Sequence, residues 1–570
     1  MLRFATASRV AGRLAAWLCV CTCLVAGPPV RVLAQQSEFR AFWVDAYHPG
    51  FKSAGEVSTL IQHVRSANCN AVIVEVRKRG DAYYTPDTTY ADFEPQATDT
   101  APANFDSLAE LIGQAHDTTG GKRRIEVHAW LVTWPIWGSN TSVPASPQHP
   151  FNRHPEWLTR NDAGATWNGS QYCFDPGHPG AAAHTFRIAM NLVTNYNLDG
   201  INFDYVRYAG DTWGYNPVAV SRYRARFGGT GAPAASDPAW CQFRRDQITA
   251  FVRKVYLHTL AYRPAVKVSA DTITWAPGPA SLADWRNTAA HKDVLQDWRA
   301  WMEEGILDLN IPMTYFDQSG AYAQDWTNWC HFIRDYQYNR HAVIGPGVYL
   351  NATADAITQI RYTRAASPSG HSARGVCAYS YAVPDKTPTP FGAFAAYLTN
   401  SPNRYDPLSP AVFAEAASVP TMPWKTAPAT GHLMGIVSAG NAAAPLDGAV
   451  VSLAGPVSRV QTNDGSGFYG FVDLPPGSYR VRASMPGIGS STNTITISAG
   501  TVHTSNLIVS TNSTPPRVSG LLSTNISDAF ATILWGPEES ADSVVENGLN
   551  AGRGIPSPTP RFGSRTPSPC

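Results

Sequence analysis

The sequence predicts an α/β fold: a (β/α)8 TIM barrel, then an all-β sandwich module, then a truncated fibronectin type III-like segment. Three observations carry this reading. Between residues 38 and 400, apolar strand-like runs alternate with helical patterns eight times over. From residue 431 to about 510, short strands punctuated by turn signals such as Asn463-Asp464-Gly465 and Pro475-Pro476-Gly477 replace that alternation. The length of 570 residues leaves room for two to four domains.

The eight units follow in order. Strands are expected over 39–47, 71–77, 125–134, 198–207, 265–275, 307–316, 342–350 and 375–383. Helical patterns fill the gaps at 55–67, 105–117, 180–196, 237–261, 285–304, 321–336, 353–365 and 389–399. Eight consecutive strand–helix units suit a closed barrel better than an open doubly wound sheet. Residues 401–430 form a Pro/Ala-rich linker, which predicts that the module behind it folds on its own with few contacts to the barrel.

Behind the linker, Gly435-Ile436-Val437, Pro445-Leu446-Asp447-Gly448-Ala449, Thr462 to Tyr469 and Leu474-Pro475-Pro476-Gly477-Ser478-Tyr479 resemble the carboxypeptidase-regulatory-like β-sandwich modules. Ala531-Thr532-Ile533-Leu534-Trp535, within 515–550, looks like an opening strand of a fibronectin type III domain. Three strands cannot close a sandwich, so this piece reads as incomplete. The tail 551–570 is rich in Pro, Ser, Gly and Arg and reads as disordered.

At the other end, residues 1–34 read as a signal peptide. Arg3, Arg9 and Arg13 form a charged start, 14–27 is an apolar run too short to span a bilayer comfortably, and Val32-Leu33-Ala34 offers a small-residue cleavage site. An exported protein is expected, secreted, periplasmic or at the cell surface, with no membrane span after cleavage. An uncleaved anchor is the alternative.

Net charge is +1, and without the four arginines of 1–34 the remainder is slightly acidic. Neither nucleic acid nor an anionic membrane is indicated as partner. The 17 Trp and 24 Tyr supply flat faces with polar edges that suit sugar rings. The cysteines beyond the leader, Cys69, Cys173, Cys241, Cys330, Cys377 and Cys570, show no Cys-x-x-Cys pairs and no clustering with His. Disulfides and buried free thiols are both compatible with them.

A barrel strand points alternate residues inward. In Gly200-Ile201-Asn202-Phe203-Asp204 the apolar Ile201 and Phe203 face the helices, so Asn202 and Asp204 face in. Val72, Val74 and Val76 turn Ile73, Glu75 and Arg77 inward. Val127 and Ala129 turn Glu126, His128 and Trp130 inward, and Val266, Val268 and Ala270 turn Ser269 and Asp271 inward. Inward polar residues near strand C-termini are where barrels keep their chemistry. A salt-bridged interior, for example Asp204 with Arg207, is the competing reading for any one of these carboxylates.

Arg40-Ala41-Phe42-Trp43-Val44, Asn70 to Arg77 with Gly80-Asp81-Ala82-Tyr83-Tyr84, Val127-His128-Ala129-Trp130-Leu131, His154-Pro155-Glu156-Trp157, Asp199 to Tyr205 and Ile311-Pro312-Met313-Thr314-Tyr315 together resemble the glycosyl hydrolase-like 10 family, formerly domain of unknown function 187. The resemblance covers about 38–400. It implies a (β/α)8 barrel and, in at least some members, cleavage of bacterial cell-wall glycan strands. Two positions depart from the family pattern: Glu75 stands where Gln is frequent, and Tyr205 where a second Asp is frequent.

Glycoside hydrolysis usually needs two carboxyl groups across the scissile bond. Strand seven ends without one. Asp204 on strand four is therefore read as nucleophile or base, Asp271 on strand five as acid, and Glu75 as the substitute second member. Asp45, Arg77, His128, Trp130, Asn202, Arg207, Tyr315 and Tyr381 are expected to line a substrate cleft. Trp134, Trp137, Trp157 and Trp167, in or beside the long loop after strand three, are expected to form its rim. No metal and no cofactor is predicted. The expected activity is hydrolysis of a bacterial polysaccharide, peptidoglycan glycan strands included. The alternative is a non-catalytic glycan-binding, adhesive surface protein on the same scaffold.

Overall fold

The computed structural model describes residues 37–275, 277–440 and 444–510, and the backbone of strands Val518–Thr524 and Thr532–Pro537. The expected leader and tail lie outside the described residues, as does most of 515–550. The two strands described there pair antiparallel.

Eight parallel strands close into a barrel: β1 Phe39–Val44, β2 Ala71–Arg77, β3 Glu126–Val132, β4 Gly200–Asp204, β5 Lys267–Ile273, β6 Leu309–Thr314, β7 His341–Pro346 and β8 Gly375–Ala378. Closure is made by β1 on β8, with Phe39 opposite Gly375. Alternation sorts the side chains into two layers. Val72, Val74, Val127, Ala129, Ile201 and Phe203 are buried against the helices. Ala41, Trp43, Ile73, Trp130, Leu309 and Ile311 fill the interior. Each buried apolar side chain contributes about 1.5–3 kcal/mol, and a one-residue slip would swap both layers, so the pattern sets the register. Gly200 marks one close approach: a Cβ there would lie 2.1 Å from His128 Nδ1.

The outer helices are α1 Ala54–Ser66, α2 Ser107–His116, α3 Pro179–Asn195, α4 Pro217–Phe227, α5 Pro238–Tyr262, α6 Trp298–Glu304, α7 Ala323–Asp335, α8 Thr353–Tyr362 and α9 Phe391–Thr399. In α1, Ser53 accepts the Glu56 N–H at the N-cap, and Val57, Leu60, Ile61 and Val64 form the buried stripe. The single helix expected over 285–304 is broken instead. Leu295 takes φ 56°, and the Gln296 side chain accepts Ile273 N–H and donates to the Val206 carbonyl. Asp297 then caps α6. Those loose strand-end groups of the barrel outweigh local helix propensity.

The linker expectation is also corrected. Residues 401–430 run along the barrel and seal its lower end. Met422 joins the interior cluster, Trp424 Nε1 donates to Asp308 at 2.7 Å, and Lys425 Nζ reaches the same buried carboxylate at 3.0 Å. A β-sandwich follows. One sheet is built on Gly431–Ala439 and Phe468–Leu474, the other on Val450–Ala454, Gly477–Met485 and Gly489–Ile497. Leu433, Val451, Tyr469, Phe471 and Val481 make its core. The sandwich docks on α5: Phe468 and Val472 enter the barrel's own apolar cluster, and a Cβ on Gly470 would meet Leu257 Cδ1 at 2.2 Å. Arg222 forks onto Asp447 at 2.7 and 2.9 Å, and Arg340 pairs with Asp473 at 2.7 Å. Cys69, Cys173, Cys330 and Cys377 are buried free thiols, and Cys241 is half-buried and free.

Candidate active site

The C-terminal mouth of the barrel holds a cleft of about 430 Å³, within the ordinary range for small-ligand sites. Asp45, Glu75, Asp204 and Asp271 all face it, from β1, β2, β4 and β5 or the turns just after them. The last register pair between β4 and β5 is Phe203 opposite Ala270. The next residues, Asp204 and Asp271, therefore emerge side by side.

Their settings differ. Burial raises Asp204, but the Arg207 guanidinium, at 3.2 Å, and the Tyr205 N–H, at 2.6 Å, both favour its charged form. Asp271 is held well above the usual carboxylate range, first by burial and then by the neighbouring Asp204 charge. Its Oδ1 accepts one hydrogen bond, from Asn202 Nδ2 at 2.9 Å. Of the pair, Asp204 ionises first and Asp271 keeps its proton. Glu75 is pushed to about 8 by burial, with a single opposing hydrogen bond from Ala46 N–H at 2.7 Å and the charges of Asp45, Asp81 and Asp204 adding to the rise.

Several polar atoms at this mouth make no hydrogen bond of ordinary geometry among the described residues. The indole Nε1 groups of Trp43 and Trp130 lie beside Asp271 and Asp204 without a formed hydrogen bond. Asp45 accepts the Tyr47 and His48 N–H groups on Oδ1, at 2.9 and 3.1 Å, while its Oδ2 is buried and unpartnered. Buried polar atoms left open in one cleft are what a hydroxyl-rich ligand would satisfy.

Of the residues expected to line a substrate cleft, the structure places Asp45, Trp130, Arg207 and Tyr315 around this cavity. Four expected lining residues fall elsewhere. Arg77 leaves the interior because a β-bulge follows Glu75, so that Arg77 rather than Val76 stands opposite Leu131. It forks instead onto buried Glu94 at 2.7 Å, which also accepts from His184 at 2.9 Å. His128 does face inward but sits in the sealed layer below, 3.3 Å from Glu126 and edge-on to Phe39. Asn202 is buried under the carboxylates and acts through Asp271. Tyr381 lies outside the barrel, bonded to His63 at 2.9 Å, because β8 ends at Ala378 and the chain turns away there.

The long loop after β3 does not supply the expected tryptophan rim. Trp134 and Trp157 are buried in the core, Trp137 packs on His149, and Trp167 packs on Tyr172. Gln171 alone of that loop reaches the cleft. The lining that sequence reasoning missed is Trp43, Tyr47, Lys78, Arg79, Tyr205, Trp275, Tyr349 and Tyr379, with apolar Val132, Ile273 and Met313. Trp43 was within reach, since Phe42 and Val44 face the helices and the same alternation turns it inward. Val132, Ile273 and Met313, at or one residue short of their strand ends, have the same inward parity as Trp130, Asp271 and Ile311. Tyr47, Lys78, Arg79, Tyr205, Trp275, Tyr349 and Tyr379 lie beyond the strand ends, where no alternation applies. Tyr315 and Tyr379 stack at 5.4 Å and, with Trp43, build one aromatic wall.

Residues 432–510 match the Carboxypeptidase regulatory-like domain. The chain is 25% identical over 399 residues to the glycosyl hydrolase YngK of Bacillus subtilis (strain 168), covering 65% of this chain and 70% of that protein. To the glycosyl hydrolase DigH of Escherichia coli (strain K12) it is 24% identical over 281 residues, covering 46% of this chain and 58% of that protein. The PgaB (BpsB) glycoside hydrolase domain from Bordetella bronchiseptica is similar with a TM-score of 0.47 at 14% identity, covering 64% of this chain and 100% of that one. Residues 38–349 match the model of Glycosyl hydrolase-like 10, more than half of the sequence, and the chain belongs to that family.

Proposed function

We propose that this chain is an exported glycoside hydrolase that cleaves a bacterial polysaccharide, with peptide-free peptidoglycan strands the first candidate, by a two-carboxylate mechanism. The observation that carries it is the pairing of Asp204 and Asp271 at the mouth, one settled toward its anion and the other toward its acid. Both carboxyls follow the last register pair of two neighbouring strands and line the same cleft, so one bound sugar chain can meet both.

Asp271 protonates the glycosidic oxygen as the bond to the anomeric carbon breaks. Asp204 either attacks that carbon or takes a proton from the water that does. Glu75, also protonated at neutral pH, is the substitute acid. Export is supported by the charged start and apolar run of 1–34, and sequencing of the protein recovered from its host should begin near Gln35.

The test is turnover and melting temperature measured on the same samples. Asp204→Asn and Asp271→Asn should each lower turnover on a cleaved glycan by about 10³-fold or more, with melting temperature nearly kept. If Asp204 merely pairs with Arg207, Asp204→Asn lowers the melting temperature while the folded protein stays active. If Asp271→Asn stays active and Glu75→Gln does not, Glu75 is the acid. A protein that binds glycans from a polysaccharide panel and cleaves none is the adhesive alternative.

A further inference from the structure

The sandwich sorts its charges by side. Residues 431–510 contain three acids, three arginines and no lysine. All three acids are turned to the barrel and paired there: Asp447 with Arg222 and Arg226, Asp473 with Arg340, and Asp464 with Lys254 at 3.9 Å. Of the arginines, Arg459 donates to the Val472 carbonyl at 2.7 Å. The side chains of Arg480 and Arg482 make no hydrogen bond or ion pair among the described residues.

Alternation fixes where these two point. Their sheet is formed by Arg459–Thr462, Val450–Ala454, Gly477–Met485 and Gly489–Ile497, and it buries Val451, Leu453, Tyr479 and Val481 in the sandwich core. Arg480 and Arg482 have the opposite parity and stand on the outer face, Arg480 exposed and Arg482 half-buried. The other sheet covers α5 through Phe468 and Val472, so this face points away from the barrel. Arg480 stands between Ala454 and Thr494 on the neighbouring strands, and Arg482 between Ser452 and Thr492. No large side chain on either neighbour covers the guanidinium forks, and each keeps its full set of N–H donors. The remaining outward positions of the sheet are Ser, Thr, Ala and Val, with no aromatic ring.

A planar guanidinium with no carboxylate partner suits the paired oxygens of a phosphodiester. Two positions along a strand are six backbone bonds, about 6.8 Å. In a chain of three-carbon polyol units joined by phosphodiesters, successive phosphorus atoms are also six bonds apart. Three bonds of an extended chain span about 3.3–3.6 Å, so its phosphates recur at about 7 Å, one to each arginine. The free hydroxyl of each unit meets the flanking rows of Ser and Thr. A nucleic-acid strand has the same six-bond interval, but its bases bind on aromatic platforms, which this face lacks.

We propose that the outer face of this sheet docks a poly(glycerol phosphate) chain, with one phosphate on Arg480 and the next on Arg482. The docking holds the protein on a phosphate-bearing polymer and leaves the barrel cleft free. It stands whether or not the barrel cleaves glycans.

The experiment passes full-length protein over immobilised poly(glycerol phosphate) and reads binding by surface plasmon resonance. Binding should be reversible and weaken about sevenfold between 50 and 200 mM salt, the dependence expected of two phosphate contacts. Arg480→Ser with Arg482→Ser should weaken it by about tenfold or more at an unchanged melting temperature. Thr492→Glu, which sets a carboxylate opposite Arg482, should weaken it similarly and decides the matter if the double variant melts lower. Asp204→Asn should bind as the unsubstituted protein does. In solution, polygalacturonate and single-stranded DNA should each compete about tenfold less well than free poly(glycerol phosphate) at equal charge. No binding, binding indifferent to both the double variant and Thr492→Glu, or equal competition by either other polymer would overturn the proposal.

Discussion

Asp204 and Asp271 carry the same side chain, and their surroundings set different tendencies to ionise. A guanidinium and a backbone N–H hold the first toward its anion, while the second has burial, a like charge and one amide donor. Asn202 is that donor, and a hydrogen bond to a carboxylate favours its charged form. Asn202→Ala should therefore raise Asp271 further. The alkaline limb of the pH–rate profile, where the acid is lost, should move to higher pH while kcat falls and KM is little changed. An unmoved limb would mean that another group, Glu75 first, is the acid. Alternation along β4 and β5 made all three residues legible from the sequence. The order of ionisation was not legible, because it depends on Arg207 and Tyr205 folding back over Asp204 from the following turn.

At the scale of elements, β2 shows what alternation misses. It places Glu75 correctly, then a bulge turns Arg77 outward to Glu94 and His184. All three side chains are fully buried, so the group is structural. Arg77→Met leaves a buried carboxylate without its cation and should cost about 3–5 kcal/mol of stability, read as a lower urea midpoint, with KM of the folded fraction unchanged. Adding Glu94→Gln should recover part of the loss. A raised KM without destabilisation would return Arg77 to the cleft. The broken helix over 285–304 follows the same logic: its residues have helical pattern, but Gln296 is needed by Ile273 and Val206.

Over the whole molecule, barrel and sandwich form one packed body. Lys254 Nζ donates to Ser466 at 2.7 Å beside the Arg222–Asp447 fork, and no described residue of the sandwich lines the cleft. A chain ending at residue 430 should keep kcat/KM on a soluble glycan within a factor of about two, yet melt several degrees lower, because Arg340 loses Asp473 and Leu257 is uncovered. An unchanged melting temperature would show that the docking contributes nothing.

The same junction predicts acid sensitivity. His341 and His432, beside Arg340, Lys425, Asp308 and Asp473 and, for His341, Arg374 and Lys267, are held at about 4, chiefly by burial. The unfolded chain takes those protons below about 6.5, so stability is full above that pH and falls as pH drops from about 6.5 to 4. The slope is at most about 1.4 kcal/mol per pH unit for each His. Urea midpoints at pH 7 and 4.5 measure this, and His341→Phe should flatten the dependence. An equally steep loss in that variant would assign it to other groups.

The sequence by itself determined the eight strands, the closed barrel, the sandwich and the inward turn of three of the four carboxylates at the mouth, Glu75, Asp204 and Asp271. Each follows from a period of apolar residues that has to be buried on one face, and a period is local information. Only the tertiary structure decided the rest. The bulge, the plug formed by Met422 and Trp424, the docked sandwich and the turn-borne rim of Tyr47, Arg79, Tyr205 and Trp275 all join residues far apart in the chain. What such groups face is set by the partner that arrives, and no local pattern records that partner.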